Sequence, residues 1–84
     1  MNAPDNRPHE RIRLTGTPLG RMVRIVEFGS EIDPLQREQL HAYGLSGSHA
    51  VRVLQQQPMT VVLCEHVELA LEHAVARHVW VETA

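Results

Sequence analysis

Residues 60–81 read Thr60-Val61-Val62-Leu63-Cys64-Glu65-His66-Val67-Glu68-Leu69-Ala70-Leu71-Glu72-His73-Ala74-Val75-Ala76-Arg77-His78-Val79-Trp80-Val81. Thr60 to Cys64 opens on three β-branched residues and predicts a strand. Val67 to Glu72 predicts a second, His73 to Arg77 a single helical turn, and Val79 to Glu82 a closing strand. Strands this close leave no room for crossover helices, so they pair antiparallel. The stretch therefore decides for a small antiparallel barrel, an architecture suited to binding more than to catalysis.

Working outward, Val51-Arg52-Val53 alternates and predicts a strand through about Gln56, with Pro58 turning the chain toward Thr60. Upstream, Asp33-Pro34 opens a helix. The aspartate carboxylate accepts free backbone N–H groups, and proline suits the first helical position. Gly44 ends that helix where a left-handed backbone is usual. Leu35, Leu40 and Tyr43 form its expected apolar stripe, and Leu45 tucks back toward the core. Met22 to Phe28, rich in Val and Ile, is the first strand. The expected fold is mainly β: about five strands, a short α-helix over about 33–43 and a one-turn helix near 73–77.

Residues 1–13 contain two prolines, many charges and little that is apolar, and they read as a flexible tail preceding a single domain over 14–84. That leaves roughly 70 residues to build a core, enough for a modestly stable domain. Ten acidic residues against eight arginines, with no lysine, give a net charge of −2. No basic face is dense enough for a phosphate backbone, which argues against nucleic acid. The charge is uneven, with five arginines among residues 1–24 and glutamates concentrated in the last twenty. Such asymmetry suits either a solvated surface or an oriented protein encounter. The lone Cys64 forms no internal disulfide and fits a reducing compartment. No apolar signal-peptide core and no membrane-length apolar run is visible, so the reading is cytoplasmic, without direct membrane insertion.

Taken in order, these segments resemble the FeoA family, small cytoplasmic proteins that accompany bacterial ferrous iron transporters. The resemblance runs from Leu19-Gly20, through Val23-Arg24-Ile25, to the helix end Leu40-His41-Ala42-Tyr43-Gly44-Leu45. It continues through Val51-Arg52-Val53, Leu69-Ala70-Leu71, Ala76 and Val79-Trp80-Val81. Each motif is short and aliphatic; the order and spacing carry the likeness. It implies an SH3-like barrel, also found as the C-terminal domain of some iron- and manganese-dependent repressors. The family often reads Thr-Pro-Gly after the helix, where this chain has Ser46-Gly47-Ser48. It also usually places a glycine where this chain has His66. Because glycine commonly supplies a positive φ, either this hairpin is built differently or His66 is strained.

The resemblance implies a protein-interaction module on the cytoplasmic side of the ferrous iron transporter, a membrane GTPase, with a role in iron homeostasis. Period two places Thr60, Val62 and Cys64 inward and Val61 and Leu63 outward; Val79 and Val81 inward put Trp80 outward. The expected partner surface is either Leu40, Tyr43 and Leu45 around the helix end, or a patch of Val61, Leu63 and Trp80. The alternative to such a patch is a sheet face covered by the helix or the N-terminal tail. A structural homo-oligomer through Trp80 is a further reading.

Six histidines raise transition-metal binding as a second function. Cys64, His66, His73 and His78 are the residues at stake, with iron or zinc as the ion. Against this, no CxxC, HExxH or His-x3-His pattern occurs, and a cysteine facing the core is commonly a small apolar filler. No cofactor is required by the reading. Catalysis has less support: Glu65 with His66, or Asp33 with His41, can be drawn as acid–base pairs, but no nucleophile or oxyanion donor accompanies them.

Overall fold

In a computed structural model, residues 11–47 and 49–84 are described. The elements in chain order are β1 (Ile12–Arg13), a 3-10 turn (Leu14–Gly16), β2 (Met22–Phe28), α1 (Pro34–Ala42), β3 (Ala50–Gln55), β4 (Thr60–Cys64), β5 (Val67–Leu71), α2 (His73–Ala76) and β6 (Val79–Thr83). The strands form one antiparallel sheet in the order β1-β6-β2-β3-β4-β5. The mainly β fold with two helices is as expected, but among the described residues the sheet has six strands, not five.

The extra strand is Ile12–Arg13, which falls in the stretch read as a tail; residues 1–10 of that stretch lie outside the described residues. Ile12 pairs with Val81 and Arg13 with Trp80. A two-residue strand carries no local signal, because what stabilises it is a partner nearly seventy positions away. Ile12 packs against the core, and the Arg13 guanidinium lies 5.0 Å from the centre of the Trp80 ring.

The core follows the period-two reading. Val23, Ile25, Val51, Val53, Val62, Cys64, Leu71, Val79 and Val81 point inward from the strands, and Leu14, Ile32, Leu40, Leu45 and Ala76 close the ends. Thr60 is also fully buried. Its hydroxyl donates to the Gln56 side-chain oxygen at 2.7 Å, while the Gln56 amide donates to the carbonyls of Leu14 and Thr17, both at 2.9 Å. One side chain thereby joins the end of β3, the start of β4 and the 3-10 turn.

The ends of α1 are set by local chemistry. Asp33 accepts from the Leu35 N–H at 2.8 Å. At the other end Gly44 has φ +99°, Leu45 N–H donates to Leu40 C=O at 3.0 Å, and Gly44 N–H donates to His41 C=O at 3.0 Å. This is a Schellman arrangement, whose accompanying apolar contact joins the two leucines. Both are buried as a result. The expected apolar stripe is otherwise wrong: Leu35 is 64% exposed and Tyr43 60% exposed, leaving Leu40 as the helix's one buried residue.

The β4–β5 hairpin turns on Glu65 and His66, with Cys64 opposite Val67. The positive φ, +57°, falls on Glu65, so the hairpin is built differently and His66 is not the strained residue. β2 pairs with β3 only over Met22 to Arg24, and its register against β6 shifts between Ile25 and Glu27. This bulge bends the second half of β2 away from β3. The freed flank faces α1.

Candidate functional site

The six residues expected to meet a partner separate into four groups. Leu40 and Leu45 are core residues, held there by the helix C-cap, and present no surface. Tyr43 is exposed beside them. Val61 and Leu63 point outward from β4 and are half-buried. Trp80 also points outward and is half-buried, but β2 and β3 stand between β6 and β4, so these three residues do not make one patch. Trp80 is covered instead by Arg13, with the Arg11–Glu27 ion pair at 3.1 Å alongside. The covering is the N-terminal strand.

The four residues weighed as metal ligands are also dispersed. Cys64 is buried and its thiol donates to Gly44 C=O at 3.3 Å. Burial pushes that thiol's pKa up, and the neighbouring Glu65 carboxylate adds to the shift, so the thiolate a metal needs is disfavoured. His66 is exposed in the hairpin turn. The His73 ring nitrogen bonds to Gln56 C=O. The His78 Nδ1 stands 3.4 Å from Glu31, and its Nε2 accepts from Arg77 at 3.2 Å. Among the described residues, no group of three or more His, Cys, Asp or Glu is placed to hold a metal ion. The drawn acid–base pairs also part company. Asp33 caps α1, and Glu65 lies 3.4 Å from His49, not against His66.

Two surfaces emerge that sequence reasoning did not assemble. The first is a groove of about 340 Å³ between α1 and the freed half of β2, lined by Val26, Phe28, Arg37, His41 and Gly47 among others. The Phe28 and His41 rings sit 5.1 Å apart at 42°. Arg37 donates through Nη2 to Ile32 C=O at 3.3 Å, while its buried Nε has no partner among the described residues. An unpaired buried donor is costly, and this one is enclosed, so it is a cost of the fold and not a contact open to an incoming group. Arg37 and His41 are four apart on one helix face, a spacing visible in the sequence. Nothing in the sequence showed that β2 would leave its neighbour and open against them.

The second surface is the outer face of β3, β4 and β5. Leu54, Val61, Leu63 and Ala70 lie on it, with Met22 of β2 alongside, and Leu54, Met22 and Ala70 are exposed. No helix among the described residues is long and apolar enough to cross a membrane.

The sequence matches no protein-family model and no curated protein. Solved structures with similar folds include the crystal structure of an iron uptake regulatory protein, FeoA, at 21% identity and TM-score 0.73, covering 89% of this chain and 99% of that one. The solution structure of FeoA from Chlorobium tepidum matches at 20% identity and TM-score 0.77, covering 86% of this chain and 70% of that one. IdeR from T. acidophilum matches at 18% identity and TM-score 0.78, covering 95% of this chain but only 37% of the longer protein. At these identities the likeness is one of fold: the chain is an SH3-like β structure of the kind seen in FeoA proteins and in one part of IdeR.

Proposed function

We propose that this protein is an accessory module of ferrous iron transport, acting by binding the cytoplasmic domain of the transporter and modulating uptake. The observation that carries the reading is the fold correspondence with FeoA, which spans 99% of that protein's chain. The α1–β2 groove supports it, since it combines the tilted Phe28–His41 ring pair with Arg37, while the exposed Tyr43 follows the same helix. In this reading the chain is not an enzyme and requires no bound metal or nucleotide of its own.

The test is an NMR titration of labelled protein with the transporter's soluble cytoplasmic domain, without added metal. Saturable shifts concentrated at Phe28, Arg37, His41 and Tyr43 are expected, and Arg37→Glu should weaken the interaction at least about tenfold. A spectrum unchanged at high partner concentration would overturn the reading.

A further inference from the structure

We infer that the outer face of β3, β4 and β5 is a self-complementary surface that binds a second copy of this chain. The inference is independent of the proposed role in iron transport. It rests on the register of four strands. Met22 stands opposite Arg52, Arg52 opposite Leu63, and Leu63 opposite Glu68, so one row crosses the sheet as Met22, Arg52, Leu63, Glu68. In the adjacent row Val61 lies opposite Ala70, and Leu54 occupies the bulge of β3 beside it.

Charge and apolar area are ordered along the first row. Strands lie roughly 4.8 Å apart, so Arg52 and Glu68 stand about 10 Å from each other with Leu63 midway between them. A two-fold axis lying in the interface above Leu63, parallel to the strands, exchanges these ends. It sets Leu63 against Leu63 and brings each Arg52 over the partner's Glu68. A closed dimer needs this kind of patch, in which one surface complements itself. Within its own chain Glu68 has no ion-pair partner among the described residues. Arg52 uses one N–H on Gly20 C=O at 3.1 Å and keeps other donors free. An apolar centre with charges at its rim is also the common anatomy of a protein interface. A foreign partner would have to supply an acid and a base at the same separation, whereas a second copy does so by symmetry.

Sedimentation of the full chain from about 10 μM to about 1 mM, the range in which small interfaces associate, is the test. A concentration-dependent dimer is expected. Arg52→Glu and Glu68→Arg should each weaken it at least about tenfold by opposing like charges. The double variant Arg52→Glu/Glu68→Arg should return to within about threefold of the original, because the swapped pairs are complementary again. Unchanged thermal melts of the variants separate lost association from lost folding. A monomer throughout the range would overturn the inference. So would a dimer indifferent to the single reversals, or one that the double swap fails to restore.

Discussion

Gln56 satisfies four groups at once: its amide reaches the Leu14 and Thr17 carbonyls, its side-chain oxygen takes the Thr60 hydroxyl, and its own carbonyl bonds to His73. Replacing it with leucine keeps the volume, takes the partner from the Thr17 carbonyl and the Thr60 hydroxyl, and leaves the Leu14 carbonyl only the Thr17 N–H at 3.1 Å. Each such loss costs about 1–3 kcal/mol, and partial access to water brings the expected total to about 2–4 kcal/mol. For a domain this size that lowers Tm by about 10–25 °C, measurable by thermal denaturation. In the sequence Gln56 is the middle of a glutamine run, so nothing marked it. Its role depends on a turn some forty residues upstream. Cys64, by contrast, was read correctly as inward-facing, because alternation along β4 is a local rule. Its pKa is raised above the ordinary 9.0, first by burial and then by Glu65. The sign follows from proton linkage. Above about pH 9 the unfolded thiol ionises while the folded one keeps its proton, so stability is full below that pH and falls as pH rises past it. Urea unfolding at a series of alkaline pH values should show this decline, and Cys64→Ala should remove the cysteine's part of it.

At the scale of elements, α1 shows what local chemistry can and cannot specify. Its ends were legible because capping involves only neighbours: Asp33 with Leu35, and Gly44 with Leu45 and His41. Asp33→Ala should cost about 1 kcal/mol by releasing that N–H from its cap. Gly44→Ala should cost more, about 1–3 kcal/mol. Alanine resists φ +99°, and its Cβ would sit 3.1 Å from the Cys64 sulfur. Denaturant midpoints of the two variants give the order directly; equal losses would mean that the C-cap is not constrained as described. The buried face of α1 was not legible. Nine residues make too short a helix for periodicity to be decisive, and Leu35 and Tyr43 proved to be exposed apolar residues. The same limit hid β1, whose two residues acquire meaning only opposite Val81 and Trp80.

Across the whole molecule, sheet order decides which outward residues share a surface. Period two correctly turned Val61, Leu63 and Trp80 outward, but it could not tell that β2 and β3 separate Trp80 from the other two. Once the order is known, Trp80 belongs to a face covered by Arg13, and Leu63 belongs to the self-complementary row. The α1–β2 groove shares no lining residue with that row. The two surfaces should therefore be separable by substitution. Arg37→Glu reverses the charge on the groove's wall, so it should weaken binding of the transporter's domain and leave sedimentation unchanged. Leu63→Glu places like charges on the two-fold axis, so it should abolish the dimer and leave the groove's titration shifts intact. Measuring both properties on both variants gives four readouts, and only the crossed pattern fits two independent surfaces. If Leu63→Glu also abolished partner binding while the chain stayed folded, the partner would have to be contacting the sheet face or recognising the dimer. If Arg37→Glu left partner binding untouched, the groove would no longer be its site. Because the two changes lie on different elements, their stability effects should add, which the double variant's thermal melt checks.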